Sequence, residues 1–452
     1  MMHRVANGRA ASYLGCLVMS LALVSVLLVP HAAALGVAQR APIRFSPLDG
    51  GKPVLPTVLV TALVVLPNGT VYAGGHVMVK STYAFANPPV VPAGSVWLVS
   101  HDQGAHWTRR VSTMNVDIVR QAASGMLPWT DHHTWPADFT ANALAVDPRQ
   151  PGTIYAAGCT GTDALCLSTA GQHRLLRSTD GGATWSDAIL FHTKSLLYTG
   201  LANLTTNIAK TPALDAVLKA GPSELPGQAL DVAIDPADSK RVYACMSGIG
   251  VLRSDDAGRT WRYSDAPQYG WENVQCDLLI DPRTTTTVYA LDRVNGRIYR
   301  SADAGRTWVP VSDFGYRSNQ HLYNPTLVKG LLYITGYKGI YASGDQGRHW
   351  RLVIPNPTPG FMVQGVRGNG GWIAAFGPQS RTAPIGLYGK RDGQPWQLLV
   401  DTSHFGTIAY SGSLAYDDMQ GEAVRRLWED HTHHIIFTAG RAGGMYRWRS
   451  AL

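Results

Sequence analysis

Ser254-Asp255-Asp256-Ala257-Gly258-Arg259-Thr260-Trp261 is the stretch on which the fold turns. Gly250-Val251-Leu252-Arg253 precedes it, and Trp261-Arg262-Tyr263 closes it. Locally this reads as strand, tight turn, strand. The short side chain of Asp256 accepts hydrogen bonds from turn amides that otherwise lack partners. Gly258 supplies a positive φ that a side chain disfavours. Trp261 offers a large apolar surface for packing between sheets. A turn accounts for the aspartate without metal ligation or acid catalysis.

The pattern Ser-x-Asp-x-Gly-x-Thr/His-Trp recurs along the chain. Its aspartates and tryptophans are Asp102 and Trp107, Asp180 and Trp185, Asp256 and Trp261, Asp303 and Trp308, and Asp345 and Trp350. A degraded copy keeps Gly393 and Trp396 but has Arg391 at the aspartate position. A second element precedes three of these copies. Asp147-Pro148, Asp235-Pro236 and Asp281-Pro282 each end an apolar run, and Tyr155, Tyr243 and Tyr289 follow eight positions after each aspartate. Proline ends a strand because it cannot donate to the ladder, and the tyrosine opens the next strand. Each unit therefore reads as four antiparallel strands, the make-up of a propeller blade.

Spacing sets the count. Successive tryptophans stand 47, 42 and 46 residues apart from Trp261 to Trp396, within the range of propeller repeats. The earlier intervals, 78 and 76, are one unit plus an insertion. Leu414–Asp417, His434–Gly440 and Met445–Trp448 read as three strands of a last unit. Ile43-Arg44-Phe45-Ser46 supplies its fourth. The expectation is an all-β, seven-bladed β-propeller of four-stranded antiparallel blades, its last blade closed by an N-terminal strand.

These residues resemble the Asp-box (BNR-repeat) β-propeller superfamily over nearly the whole chain from about residue 40. In repeat style they are closest to the xyloglucanase, sortilin and photosystem II assembly-factor branch. The resemblance implies a propeller; it does not transfer an activity. Gly443-Gly444-Met445-Tyr446-Arg447-Trp448 resembles a xyloglucanase signature, but Gly440-Arg441-Ala442 stands where the resemblance implies an aspartate. A sialidase-type arginine triad is missing from the inner strands Ala62–Val65, Ala143–Val146, Val232–Ile234 and Leu278–Ile280.

The first 38 residues read as an export signal or N-terminal membrane anchor, and residues 39–452 as the propeller. His3, Arg4 and Arg9 precede an apolar run, Tyr13–Pro30, with Ala32-Ala33-Ala34 after it. The expected location is secreted or extracytoplasmic. Four cysteines then remain, and the expected disulfides are Cys159–Cys166 and Cys245–Cys276, although three connectivities are open. The formal charge of +8 is spread without a Lys/Arg block, so no nucleic-acid partner is expected. No cofactor or metal is expected, and the chain reads as a monomer.

Binding is expected on long loops at one face of the first three blades: Val77–Ser95, Ser112–Asn142, Cys159–His173 and Phe191–Gln228. Within one of them, Trp129, Asp131, His132, His133 and Trp135 suit stacking on a sugar or a polar ligand. A second cluster, Glu429, Asp430, His431, His433 and His434, is expected to begin in a turn on the opposite face and run into a strand. The leading expectation is a non-catalytic module that recognises a protein or a polysaccharide. The alternatives are a glycoside hydrolase, with a carboxylate pair among Asp117, Asp131, Asp138, Asp163 and Glu224, and an assembly or scaffold factor.

Overall fold

In the computed structural model the chain is all-β. The structure describes residues 45–52, 54–80, 90–111, 139–160, 172–189, 208–209, 229–246, 250–264, 276–293, 295–314, 322–328, 330–336, 338–355, 371–375, 386–391, 397–401, 427–430, 432–439 and 444–450.

Among these residues the strands form seven sheets. A short strand β1 (Phe45–Pro47) is followed by the first sheet, β2 (Val58–Val65), β3 (Val71–Lys80), β4 (Val90–Ser100) and β5 (Thr108–Val111). The second is β6 (Phe139–Val146), β7 (Ile154–Thr160), β8 (Gln172–Ser178) and β9 (Ser186–Asp187). The third is β11 (Ala229–Ile234), β12 (Val242–Met246), β13 (Gly250–Ser254) and β14 (Trp261–Tyr263), with β10 (Ile208–Ala209) added outside β14. The fourth is β15 (Cys276–Ile280), β16 (Val288–Asp292), β17 (Arg297–Ser301) and β18 (Val309–Asp313). The fifth is β19 (Leu322–Val328), β20 (Leu331–Gly336), β21 (Gly339–Ser343) and β22 (Arg351–Pro355). The sixth holds β23 (Gly371–Ala375), β24 (Gly386–Arg391) and β25 (Gln397–Asp401). The seventh is β26 (Leu427–Asp430), β27 (Ile435–Ala439) and β28 (Met445–Ser450), with β1 antiparallel to β28, Phe45 facing Ser450 and Pro47 facing Trp448.

Three strand expectations change. The third sheet has five strands because Ile208 and Ala209, inside the Phe191–Gln228 insertion, pair in parallel with Trp261 and Arg262. The first strand of the seventh sheet is Leu427–Asp430, where Trp428 faces Phe437, and not Leu414–Asp417, which lies outside the described residues. The 402–426 connection therefore joins the long ones, so elaboration is not confined to the first three sheets. Glu429 and Asp430 end β26, and β27 begins only after His434. The acidic–histidine cluster thus starts in a strand and ends in a turn, because the ladder pairs Asp430 with Ile435.

Apolar side chains join the seventh sheet to the first and the first five sheets in succession. Ile435, Phe437 and Met445 of the seventh pack with Val58, Val71 and Leu98 of the first. Tyr72 and Trp97 pack with Phe139, Ile154 and Trp185. Tyr155 and Leu175 pack with Val232 and Trp261. Tyr243 and Val251 pack with Val288 and Trp308, and Tyr289 and Leu291 with Leu332 and Ile334.

The recurring turn has one geometry in all five copies. In the third, Ser254 Oγ donates to Asp256 Oδ1 (2.8 Å) and accepts the Gly258 N–H (2.8 Å). Asp256 Oδ1 accepts the Thr260 N–H (2.8 Å), and Oδ2 accepts the Thr260 hydroxyl (2.6 Å). His106 and His349 replace that hydroxyl with Nδ1, 2.6 and 2.5 Å from Asp102 and Asp345. The bonds stabilise two successive left-handed residues, Ala257 (φ 60°) and Gly258 (φ 78°) in this copy. The glycine also abuts the preceding sheet. A Cβ on Gly182 would lie 2.1 Å from Trp97 Nε1, one on Gly258 3.0 Å from Tyr155, and one on Gly104 2.6 Å from Phe437.

The second repeated element locks onto the first. Asp147, Asp235 and Asp281 each accept the amide two residues on, which closes the Asp-Pro turn. The tyrosine that follows reaches the next sheet's turn: Tyr155 Oη donates to Ala257 O (2.7 Å), and Tyr243 Oη to Ala304 O (2.9 Å). At the first sheet Arg447 takes this part, donating to Gln103 O (2.8 Å) while it binds Asp49 through Nε (2.9 Å) and Nη2 (2.5 Å).

Gly182→Ala should cost about 3 kcal/mol or more in urea unfolding, since both φ and Trp97 oppose a methyl group. Gly181→Ala, also left-handed but with no atom within 4 Å of its Cβ position, should cost only about 1 kcal/mol. Acid should act through the turn carboxylates. Burial raises the pKa of Asp303, but the Thr307 hydroxyl and amide and Ser301 outweigh it and bring it down to about 2. The amide of His106 holds Asp102 low, and that of His349 holds Asp345 low. Groups with lowered pKa stabilise fully above the unfolded value near 4, and that stability is lost as pH falls through the folded value. Melting temperature should therefore drop between about pH 4 and pH 2, and less steeply in Asp303→Asn.

Candidate functional site

Antiparallel order fixes which end of each sheet carries which connection. The Asp-box turns and the Asp-Pro turns share one end. The 81–89, 112–138, 161–171 and 402–426 segments, and those flanking β10, leave from the other. At this end the hairpins of the fourth and fifth sheets are short, 293–296 and 337–338, while the segments leading on to the next sheet are 314–321 and 356–370. Strands claim part of each expected loop. The β3–β4 ladder continues to Lys80 facing Val90, so Val77–Ser95 shrinks to 81–89. β6 takes Phe139–Asn142 from Ser112–Asn142, and β7 and β8 trim Cys159–His173 to 161–171. Trp129, Asp131, His132, His133 and Trp135 all lie outside the described residues, as do Asp117, Asp138, Asp163 and Glu224.

At the long-loop end the described residues assemble a charged junction between the third and fourth sheets. Cys245 of β12 and Cys276 of β15 form a disulfide with Cα atoms 6.2 Å apart. Cys166 lies outside the described residues, so the Cys159–Cys166 pairing falls there too. Asp231 faces Cys245 across the β11–β12 ladder. Its Oδ1 accepts the Val232 N–H (2.8 Å), and its Oδ2 crosses to the fourth sheet to accept the Leu278 N–H (2.7 Å). Asp277, beside Leu278, accepts from Arg293 Nε (2.9 Å) and also from Nη2. Asp292 ends β16 and accepts from the Asn295 amide (3.0 Å) and Nδ2 (2.7 Å), which sets the turn that carries Arg293. Burial pushes the pKa of Asp231 up, and the neighbouring Asp277 charge pushes it further.

Two other polar bridges occupy the same end. His76 Nε2 and Thr140 Oγ1, both buried, are 2.6 Å apart and link the first sheet to the second. Arg174 binds Asp187 through two hydrogen bonds of 2.7 and 2.5 Å. The Glu429–His434 cluster sits at the other end, where His433 Cε1 lies 3.1 Å from the Cβ position of Gly69. Among the described residues no group of three or more His, Cys, Asp or Glu could hold a metal ion.

Asp231 and Asp277 had a sequence signal. Each stands four residues before an Asp-Pro, at Asp235 and Asp281, so an acid recurs at one repeat position. Arg177, Arg253 and Arg300 had one too. Each precedes the motif serine and faces the repeat tyrosine across the ladder, Tyr155, Tyr243 and Tyr289. Arg177 stacks over Tyr155, its Cζ 6.0 Å from the ring centre.

The disulfide closes a 31-residue separation, and Cys245→Ala with Cys276→Ala should lower unfolding stability by about 3 kcal/mol in urea.

No family model matches the chain. A xyloglucanase from Paenibacillus sp. is 28% identical over 260 residues, 51% of this chain and 22% of that protein. A xyloglucanase from Hypocrea jecorina (strain QM6a) is 28% identical over 287 residues, 56% of this chain and 33% of that protein. The matched stretch thus spans a third or less of these relatives' length. Among solved structures, YCF48 bound to D1 peptide superposes with a TM-score of 0.50 at 14% identity, over 91% of this chain and 97% of that one. That likeness concerns the fold alone. Repeat chemistry, sheet architecture and these relatives place the chain on the Asp-box (BNR-repeat) β-propeller branch, as a distant homologue of the xyloglucanases.

Proposed function

We propose that the seven sheets are the blades of one closed propeller, and that it serves outside the cytoplasm as a recognition module for a protein or a polysaccharide. The packing of the seventh sheet on the first and the pairing of β1 with β28 support closure. The observation that carries recognition is the unevenness of the connections. The longest segments, 112–138, those flanking β10 and 402–426, all lie at one end of the sheets, where the hairpins of the fourth and fifth sheets are short turns. Long loops on a rigid scaffold are where binding concentrates. The Asp-box carboxylates face the other end and are consumed by turn amides. The likeness to YCF48, solved with a bound peptide, favours a protein ligand.

A second reading, hydrolysis of a β-glucan, is favoured by the xyloglucanase relatives. It needs two carboxylates set about 5–10 Å apart across a cleft.

Replacing 113–137 with a short Gly-Ser turn spares β5 and β6 and should leave the melting temperature unchanged. It should abolish capture in a glycan array or in a pull-down from the native envelope. Undiminished capture by the trimmed chain would argue against recognition through this end. Release of reducing ends from xyloglucan by the intact chain would move the assignment to the hydrolase reading.

A further inference from the structure

The outermost strand of a sheet turns alternate N–H and C=O groups away from its neighbours, a template that folded proteins guard with charge, proline or a covering strand. One repeat position shows which guard each sheet uses. It is the outer-strand residue that pairs with the position two before the motif serine. In the first sheet it is Arg109, opposite Leu98, and in the second Asp187, opposite Leu176. In the third it is Tyr263, opposite Leu252, on the strand that β10 covers. In the fourth it is Pro310, opposite Tyr299. In the fifth it is Leu352, opposite Tyr341, and in the sixth Leu398, opposite Tyr388.

The proline tells which way this position points. Pro310 has no N–H yet sits inside a ladder, so the backbone nitrogen there faces away from the sheet. Leu352 carries at that place the N–H that Pro310 lacks. Among the described residues no strand lies outside β22. The Leu352 side chain is 44% exposed, although large apolar side chains here are mostly buried. The third sheet shows what such an edge takes. Ile208 lies parallel beside Trp261, and Ala209 beside Arg262. The same dipeptide, Trp350-Arg351, leads into Leu352.

We propose that β22 is a docking edge for an extended segment of another protein, lying parallel to it as β10 lies on β14. The segment places a small residue beside Arg351 and an apolar one beside Leu352. Backbone hydrogen bonds supply the hold, and the alternating side chains supply the selection. The site is the outer edge of one sheet and not the long-loop end, so the inference stands apart from recognition through those loops.

The probe is a synthetic peptide of residues 203–211 with Lys210→Leu, which gives the β10 sequence the required alternation. Leucine and valine methyl NMR follows its titration into the full chain with the disulfide intact. The Leu352 and Val353 methyls should shift saturably. Leu352→Pro copies the guard of the fourth sheet and should weaken binding about tenfold or more, as the loss of an edge hydrogen bond and an apolar contact requires. Leu352→Lys copies the charged guard and decides in its place if the proline variant does not fold. The chain with 113–137 replaced should bind the peptide as wild type does. Unmoved Leu352 and Val353 methyls, or undiminished binding by both variants, would overturn the proposal. So would sedimentation of wild type as a dimer that Leu352→Pro dissolves, since the edge would then belong to a second copy.

Discussion

Each of the five described Asp-box corners must hold two consecutive residues in left-handed backbone, and most side chains resist that conformation. The serine–aspartate pair meets much of the demand by accepting turn amides, and the amide of the first left-handed residue goes to the neighbouring turn of its own sheet, as Ala257 N–H does to Lys240 O. Ser254 takes the Gly258 amide and Asp256 takes the Thr260 amide, and the other four copies do the same. The second left-handed residue is glycine each time. That lets the turn press against an aromatic of the preceding sheet, Trp97 under Gly182 or Tyr155 under Gly258. The first left-handed residue keeps its carbonyl free to accept from that same neighbour, as Ala257 does from Tyr155. A local backbone requirement thereby becomes the rule by which one sheet finds the next.

This explains why so much of the architecture was legible. Ser, Asp, Gly and Trp recur in all five full copies because the turn admits few alternatives, and the Asp-Pro…Tyr element repeats because its hydroxyl has a fixed target. Legibility ended where contacts are made once. Ile208 and Ala209 join the third sheet by backbone pairing, which no side-chain pattern announces. Leu427–Asp430, with two acids in four residues, is overshadowed in the sequence by the more apolar stretch Leu414–Asp417. Arg447 could be read as part of a signature, but not as the partner of Asp49 and Gln103, which are distant in sequence.

The same chemical group serves opposite ends of the sheets in opposite ways. Asp303 faces a ring of donors and stays ionised into strong acid. Asp231 also accepts two amides, yet burial and Asp277 prevail there. Donors alone do not settle a carboxylate's charge; what else shares its cavity does. The acid repeat at Asp231 and Asp277 was visible as a spacing, but its meaning depends on two sheets being brought edge to edge.

β1 belongs to the beginning of the described chain and pairs with its end; Asp49 and Arg447 meet across 398 residues. A contact of such span carries the largest loop-closure entropy in the fold and can form only after the intervening sheets stand. Until then β28 presents a bare row of amides and carbonyls, and the cradle around Arg447 lacks its anion. That edge accepts Phe45-Ser46-Pro47 by backbone geometry and does not distinguish a strand from its own chain from the same strand on a neighbouring molecule. Crowded refolding therefore favours reciprocal strand exchange between two copies, a dimer built with no surface that the single molecule does not already contain.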